Sequence, residues 1–324
     1  MSNLEFRSFR DEGDYPLLVE INHSSHEADH DSQRVTQAEI AEALARMEGV
    51  TPQTGVIIAW LDDKPVGYSR LGWYSSSPHN RLYYQISFLK KEYRGQNLWE
   101  QIIAENEERI SALAAGHPVI AERYFQAWAS DHQSDWIAAL EACGYRVARR
   151  FNNMLHKLDR VQVQALPAGV EIRVIGPQHM RAVWEALREM NTGLFENVDD
   201  DWLDEKYPEW LANQEQNPRF WQVAWAGDQL AGMVLARIDE EENERLQRKH
   251  GYTEHIYVRP AWRQMGLASA LITRSLEALK EAGMTETELG VDAENESDAF
   301  RLYERLGFKT FYTDFWFRKP MASH

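Results

Sequence analysis

One stretch decides the fold, residues 255–268, which read His255-Ile256-Tyr257-Val258-Arg259-Pro260-Ala261-Trp262-Arg263-Gln264-Met265-Gly266-Leu267-Ala268. A strand pattern ends before Pro260, and an apolar helical period begins at Leu267. A helix that starts there leaves backbone N–H groups without partners and concentrates positive potential. Gly266 lets an anion approach the backbone, and Ala268 keeps the next turn open. We therefore expect this turn to bind a diphosphate.

The same order of elements occurs twice along the chain, as an internal repeat. Each half reads strand, two helices, β-hairpin, strand, long helix, strand, short helix and strand. The predicted strands of the second half are 170–175, 220–225, 229–238, 255–258, 286–291 and 308–317, and its helices are 179–190, 201–211, 267–282 and 297–306. The first half matches them with strands at 4–10, 54–60, 65–73, 82–89, 124–130 and 151–158. The repeat predicts two domains of one fold.

The boundary between the repeats is predicted in residues 161–169, which contain Pro167 and Gly169 and lack a long apolar period. The predicted domains are then residues 1–160 and 170–324, a division that suits a chain of 324 residues. Each domain is expected to be α/β (α+β), with a mixed, mostly antiparallel sheet flanked by helices. The strand-helix-strand unit around the long helix should be a parallel, right-handed crossover.

Composition disfavours several classes of function. The net charge of −16 and the pI near 5.2 argue against a nucleic-acid partner, because phosphate backbones are bound by clustered Lys and Arg. One cysteine, Cys143, fits a reducing compartment and predicts a cytoplasmic protein. The first ten residues lack a signal-peptide pattern, and no run approaches the roughly 20 apolar residues of a membrane span. We expect no membrane partner, and the oligomeric state stays open.

Two further groups of polar residues are read as solvated rather than functional. His23, His26 and His30 lie among acidic residues without a fixed ligand spacing, so we expect no metal site. The acidic run at residues 239–244 is predicted to be a solvated loop between strands.

Two motifs carry a resemblance to a known family. Arg263, Gly266 and Ala268 fit the pattern of Arg or Gln, two variable residues, Gly, one variable residue, then Gly or Ala, although an ordinary strand-to-helix turn can also show it. A second pattern follows at the expected distance, an Asn before a helix that bears Ala and Tyr and ends in Gly-Phe. It comprises Asn295, Ala299, Leu302, Tyr303, Leu306, Gly307 and Phe308. On both motifs together, residues 170–318 resemble a GNAT N-acetyltransferase domain.

The resemblance implies direct transfer of an acetyl group from acetyl-CoA to a primary amine of a small molecule, in a ternary complex and without a metal. The residues that it places around acetyl-CoA are Tyr257, Val258, Arg263, Gln264, Met265, Gly266, Leu267, Ala268 and Asn295. Backbone N–H groups of Tyr257 or Val258 would polarise the thioester carbonyl. Tyr303 would protonate the departing thiolate, and a ring that only packs against the sheet is the less favoured alternative. Asn295 would contact the pantetheine arm or cap a helix.

The base that deprotonates the amine is less defined. Glu254 and His255 are the candidates, and strand alternation lets only one of them face the cleft. Between the two we favour Glu254, although a solvated residue near the strand start is the commoner explanation for either.

The first repeat departs from both motifs. Tyr93-Arg94-Gly95-Gln96-Asn97-Leu98-Trp99 keeps the Arg but places Asn97 where the second repeat has Gly266 and Trp99 where it has Ala268. Leu140 stands at the position of Tyr303. Residues 1–160 are therefore predicted to keep the fold and lose acetyl-CoA chemistry. The competing interpretations of the whole chain are a non-catalytic acyl-CoA binding or sensing protein and an enzyme that acetylates protein lysines.

Overall fold

The structure, a computed structural model, describes residues 4–30, 34–47, 49–77, 80–118, 122–191, 207–208, 210–212, 218–293 and 299–322. The chain forms two compact units. Unit 1 comprises residues 1–150 and 314–324, and unit 2 comprises residues 151–313. Both are α/β, with a mostly antiparallel sheet flanked by helices, as the sequence predicts.

Unit 1 holds its helices around a six-stranded sheet. Its elements are β1 Leu4–Ser8, α1 Tyr15–Ala28, α2 Gln37–Ala45, α3 Pro52–Gly55, β2 Val56–Leu61, β3 Lys64–Ser77, β4 Asn80–Leu89, α4 Leu98–Ala115, β5 Glu122–Ser130, α5 Ser134–Ala142 and the start of β6 Arg146–Lys157. The turn between β2 and β3 is made by Asp62 and Asp63, both with positive φ, which is the turn chemistry that tight hairpins need.

Unit 2 repeats this order. Its elements are β7 Glu171–Ile172, α6 Met180–Asn191, β8 Trp221–Ala226, β9 Gln229–Ile238, α7 Glu240–Arg245, β10 His250–Val258, α8 Leu267–Glu281, β11 Glu286–Asp292, α9 Ala299–Arg305 and most of β12 Lys309–Pro320. Long helices α4 and α8 each follow the fourth strand of a unit and pack their apolar sides on one face of its sheet.

Two predictions of local structure are wrong. The acidic run forms helix α7, because Asp239 accepts a hydrogen bond from the Glu242 N–H at 2.9 Å and carboxylates stabilise the first turn. The fourth strand of the second repeat begins at His250 rather than at His255, since Gly251 and Thr253 are buried in the sheet.

Each unit takes one strand from the other half of the sequence. In unit 1 the end of β12 pairs antiparallel with β5, from Asp314 opposite Ser130 to Pro320 opposite Tyr124. In unit 2 the end of β6 pairs antiparallel with β11, from Phe151 opposite Asp292 to Lys157 opposite Glu286. The sheet orders are β1-β2-β3-β4-β5-β12 and β6-β11-β10-β9-β8-β7. The compact units therefore differ from the consecutive halves that the repeat predicts.

The borrowed strand contributes to the core of the unit that receives it. Phe317 on β12 is 1% exposed among the core residues of unit 1, whereas Phe311 on the same strand is 65% exposed. Met154 on β6 is fully buried in the core of unit 2. The exchanged strands are thus structural parts of the units that they join.

The exchange predicts an unequal effect of two matched substitutions. Phe317→Ala should lower the free energy of unfolding by about 3–5 kcal/mol, because it removes a buried ring near the end of the chain. Phe311→Ala should change it by less than about 0.5 kcal/mol. Urea unfolding with hydrogen exchange of the β5 and α4 amides measures both. Unchanged protection of β5 in Phe317→Ala would contradict the exchange.

Candidate active site

The site of unit 2 begins where two parallel strands part. β10 pairs with β11 only from His250 to Tyr252, opposite Glu286 to Glu288, although β11 continues to Asp292 along β6. Beyond Tyr252 one edge of β10 is thus free of β11. Open α/β sheets bind ligands beyond the carboxyl ends of such strands.

A bulge lies in the free part of β10. Glu254 stands opposite Leu235 of β9, and Tyr257 stands opposite Met233, so two residues of β10 match one of β9. His255 within this bulge has a φ of 47°. The Arg259 N–H donates to Ala231 O at 3.0 Å, and alternation then turns the Val258 N–H away from β9. Of the two predicted donors, Val258 is the one whose N–H points to the open edge.

The turn that follows β10 leads into α8 through a left-handed residue. A short 3₁₀ turn spans Pro260–Trp262, Gln264 has a φ of 61°, and Gly266 has a φ of 83° immediately before the helix. A Cβ added to Gly266 would meet no atom within 4 Å, so open space lies over the turn. No side chain caps α8, and the first intrahelical bond from its start is Ala270 N–H to Gly266 O. The N–H groups of residues 267–269 are available to an anion.

Arg263 is the charged side chain of this turn. Its Nε donates to Val258 O at 3.0 Å, which holds the guanidinium beside the end of β10. In the described part of the chain, Arg263 forms no ion pair with a carboxylate. Met265, two residues further on, is 54% exposed, and Leu267, the first residue of α8, is buried. The turn thus presents one exposed guanidinium and a row of N–H groups, which suit a diphosphate.

Tyr303 on α9 is buried, with 7% exposure, and its ring lies edge-on to Phe308 at 6.1 Å between ring centres. Burial raises the pKa of Tyr303 to about 12. The phenol is consequently protonated at neutral pH and able to donate.

Glu254 lies on the face of β10 opposite α8, with 36% of its side chain exposed. Its Oε2 accepts a hydrogen bond from Arg237 Nε at 3.2 Å. To accept a proton from an amine, Glu254 needs this ion pair to open or a water molecule to bridge to it. His255, the other candidate, lies in the bulge itself and is exposed.

The end of β10 is fixed to α6 by one carboxylate. Glu189 accepts hydrogen bonds from Tyr257 Oη at 3.1 Å and from Arg259 Nε and Nη2 at 2.8 and 2.7 Å. Burial of the phenol raises the pKa of Tyr257, and the nearby Glu189 charge raises it further. The third nitrogen of the Arg259 guanidinium, Nη1, donates to Leu230 O at 3.1 Å. This clamp holds the backbone on which the Val258 N–H lies.

Unit 1 has the same turn in its backbone. A 3₁₀ turn spans Lys91–Tyr93, Gly95 has a φ of 73°, and Asn97 takes the left-handed conformation with a φ of 55°. Asn tolerates this conformation better than most residues with a side chain. β4 likewise pairs with β5 only up to Tyr84 opposite Gln126. The first repeat therefore retains the shape of the turn and the parting of the strands.

In unit 1, the arginine of the turn binds carboxylates of the protein. Arg94 Nη1 donates to Asp29 Oδ1 at 2.5 Å and to Asp135 Oδ1 at 3.0 Å, and Nη2 donates to Asp29 Oδ2 at 3.0 Å. The side chain of Asp29 is 3% exposed and that of Arg94 is 13% exposed. Two carboxylates of unit 1 thus bind the Arg94 guanidinium. The matching guanidinium of Arg263 in unit 2 has no such carboxylate among the described residues and can bind an anion.

Two indoles complete the difference. Trp99 and Trp136 in unit 1 pack with ring centres 4.7 Å apart, and both are buried. Counting from the helix starts and from Gly144 and Gly307, their counterparts in unit 2 are Ala268 and Ala299, which are partly exposed. Trp99 Nε1 also donates to Asp135 Oδ2 at 2.9 Å. Two buried indoles in unit 1 thus stand at the positions where unit 2 has two small side chains.

Asn295 and most of the predicted helix 201–211 lie outside the described residues. The sequence does not reveal Asp29, which is far from the motif, but Trp136 could have been found by extending the comparison of the repeats to Ala299. Within the described part, no group of three or more His, Cys, Asp and Glu is placed to hold a metal ion. Likewise, no helix described there has the length and apolarity that crossing a membrane requires.

Comparisons with known proteins agree with this geometry. The family model described as acetyltransferase (GNAT) family matches residues 183–308. A mycothiol acetyltransferase of Streptomyces scabiei is 28% identical over 231 residues, which cover 69% of this chain and 66% of that protein. N-alpha-acetyltransferase 30 of Schizosaccharomyces pombe is 33% identical over 93 residues, 29% of this chain and 59% of that protein. The chain thus spans slightly less than two thirds of the length of the curated relatives.

Solved structures share the fold over the whole chain. A GCN5-related N-acetyltransferase from Sphaerobacter thermophilus matches with a TM-score of 0.76 and 22% identity, covering 99% of this chain and 96% of that one. A tandem GNAT protein from the clavulanic acid biosynthesis pathway matches with a TM-score of 0.69 and 15% identity, covering 99% of this chain and all of that one. The fold is therefore that of tandem GNAT proteins, and residues 183–308 are the part of the chain that matches the acetyltransferase (GNAT) family model.

The same substitution at the arginine of each turn, Arg94 or Arg263, is expected to change stability by very different amounts. Arg94→Met should lower the free energy of unfolding by about 3–5 kcal/mol, because it leaves the buried Asp29 carboxylate unpaired. Arg263→Met should change it by less than about 0.5 kcal/mol. Urea unfolding measures both, and an equal stability loss in the two variants would show that the two turns do not differ in this way.

Proposed function

We propose that this chain, which carries an acetyltransferase domain of the GNAT family, transfers an acetyl group from acetyl-CoA to a primary amine of a small molecule. The observation that carries the proposal is the contrast between the two turns. Unit 2 leaves Arg263, the N–H groups of residues 267–269 and the space over Gly266 available. In unit 1, carboxylates bind the matching Arg94, and the buried Trp99 stands where unit 2 has Ala268. Acetyl-CoA would bind to unit 2 alone.

The residues of unit 2 fit the parts of acetyl-CoA. The start of α8 and Arg263 would hold the diphosphate, and Gly266 would let it approach the backbone. Gln264 and Met265 would border the same group on the exposed turn, and Asn295 would contact the pantetheine arm. The Val258 N–H, at the free edge of β10, would donate to the thioester carbonyl oxygen as negative charge develops on it.

Tyr303 and Glu254 supply the proton transfers. The amine nitrogen must lose its extra proton before it attacks, and Glu254 would accept this proton, directly or through water, once Arg237 moves away. The amine nitrogen attacks the thioester carbon, the C–S bond breaks, and Tyr303 would donate its phenolic proton to the departing sulfur. The second proton, which the nitrogen loses as it becomes an amide, would pass through water to restore the Tyr303 phenol. A pKa of about 12 keeps Tyr303 in the donating form throughout the physiological range.

The acceptor is proposed to be a small molecule because the relatives that align over most of the chain are named mycothiol acetyltransferases. The acceptor of those enzymes is accordingly the first amine to test. The match to an N-alpha-acetyltransferase covers a shorter stretch and favours a protein N-terminus as the second candidate. A single cysteine, Cys143, supports a cytoplasmic site for the reaction.

A non-catalytic acyl-CoA binding protein is the alternative, and one residue separates the two functions. Tyr303→Phe should lower kcat by roughly 10²- to 10⁴-fold while the Kd for acetyl-CoA stays unchanged, because only the proton donor is lost. Stopped-flow detection of thiol release and calorimetry measure these quantities. Tyr145→Phe, a change at a buried tyrosine of unit 1, is the matched control and should leave kcat unchanged.

The pH profile gives an independent check. Because the raised pKa of Tyr303 is about 12, the donating form persists well above neutrality, and kcat should show no alkaline decline up to about pH 10. An alkaline limb near pH 8 that disappears in Tyr303→Phe would argue against the assigned acid. Equal kcat for wild type and Tyr303→Phe would favour a different proton donor.

A further inference from the structure

The end of β10, which carries the Val258 N–H, has little support within the sheet. Past Tyr252 it no longer pairs with β11. The bulge at His255 interrupts its pairing with β9, and only Tyr257 and Val258 are in register with that strand afterwards. A hydrogen-bond donor contributes to catalysis only if it is held in place before the reaction. Contacts of the neighbouring side chains therefore matter for where this donor lies.

The side chains on both sides of Val258 meet at one carboxylate. Tyr257 Oη donates to Glu189 at 3.1 Å, and Arg259 donates to the same carboxylate through Nε and Nη2 at 2.8 and 2.7 Å. Tyr257 and Arg259 extend to the same face of β10, because residues two apart in a strand point the same way. Paired hydrogen bonds between a guanidinium and a carboxylate fix the orientation of both groups. Val258 thus lies between two residues that are fastened to one point.

That point belongs to a helix that is itself well anchored. Helix α6 packs on β8 and β9 through buried residues that include Val183, Ala186 and Leu187. The Tyr257 ring packs against the same cluster. The side chain of Glu189 is 42% exposed, and a pair exposed to this degree contributes little to the free energy of unfolding. The main effect of the clamp is therefore on where the end of β10 lies.

Unit 1 holds the matching place with fewer bonds. Lys90 follows β4 as Arg259 follows β10, and each backbone N–H donates to the strand beside it. Lys90 Nζ donates to Glu20 of α1 at 2.6 Å, a single bond in place of a paired one. Phe88 stands where unit 2 has Tyr257, so the phenolic bond has no counterpart. The full clamp occurs in the unit that has the acetyl-CoA turn.

The clamp also occurs together with the bulge. In unit 1, β4 pairs with β3 in unbroken register from Leu82 to Leu89. In unit 2, the register of β10 shifts between Glu254 and Tyr257. A bulge bends a strand and re-aims the residues after it, at the expense of regular pairing. The bonds to Glu189 start at the first residue after the shift, where the re-aimed backbone needs a new support.

We propose that Glu189 and the Tyr257 hydroxyl are positioning groups for acetyl transfer, which fix the Val258 N–H where the thioester carbonyl oxygen of acetyl-CoA binds. The inference rests on the proposed function, because the clamp matters to catalysis only if the carbonyl reaches Val258. Both groups act through the backbone of β10. Their loss should weaken the bond to the carbonyl and leave the diphosphate contacts at the start of α8 in place.

The test measures the carbonyl bond directly and needs no acceptor amine. Acetyl-CoA labelled with carbon-13 at the thioester carbonyl is bound to the full chain, and isotope-edited infrared spectra give the C=O stretching frequency. In wild type the band should lie below that of free acetyl-CoA, because a hydrogen bond to the oxygen weakens the C=O bond. In Glu189→Ala and Tyr257→Phe the band should move back toward the free value, while the Kd from calorimetry stays close to that of wild type.

Two control variants separate positioning from a general effect on the helix. Glu189→Gln keeps an oxygen that accepts hydrogen bonds and should retain more of the band shift than Glu189→Ala does. Glu185→Ala removes the glutamate one turn earlier on α6, which pairs with Arg181 at 3.3 Å, and should leave the band where wild type has it. Tyr257→Phe removes a single oxygen atom, so the test holds even if Glu189→Ala fails to fold.

The possible failures are distinguishable. A wild-type band position in both Glu189→Ala and Tyr257→Phe, or an equal change in Glu185→Ala, would overturn the positioning role while leaving the proposed function intact. Bound acetyl-CoA with an unshifted carbonyl in wild type would overturn it as well, because Val258 would then not donate to the thioester. Absence of acetyl-CoA binding in wild type would instead contradict the proposed function, and the inference would fall with it.

Discussion

The short parallel pairing of β10 with β11 is the constraint on which the rest of the site depends. Three residues of β10 are bound to β11, and from Thr253 onward that edge has no strand beside it. Because β11 remains paired with β6 along its whole length, the divergence opens a cleft while the sheet of unit 2 stays continuous on that side. The bulge at His255, the Val258 N–H and the turn at Gly266 all lie on the diverging part.

The two units show how a turn that can bind an anion differs from a turn that only supports the fold. Backbone dihedral angles are nearly the same, since Asn97 and Gly266 are both left-handed and Arg94 and Arg263 both follow a 3₁₀ turn. The side chains differ in what they contact. Asp29 and Asp135 contact Arg94 in unit 1 as phosphate oxygens would contact Arg263, so a ligand interaction has an internal counterpart that stabilises the fold.

Sequence alone was sufficient for the local features of the site and insufficient for the long-range ones. The turn was predictable because Pro260, Gly266 and the apolar period of α8 are close in sequence and have fixed conformational meaning. The strand exchange was not, because β6 and β12 have similar patterns and either could pair with β5 or β11. The bulge was hidden for the same reason, since it depends on register with β9. Asp29 reaches Arg94 only through tertiary packing of α1.

Binding of acetyl-CoA to one unit is the central claim, and calorimetric titration of three proteins tests it most directly. Wild type should bind one equivalent of acetyl-CoA. Gly266→Trp should bind none, because a left-handed position becomes strained and an indole fills the open space over the turn. Asn97→Trp should bind one equivalent as wild type does. Two equivalents in wild type, or retained binding in Gly266→Trp, would contradict the assignment of the cofactor site to unit 2.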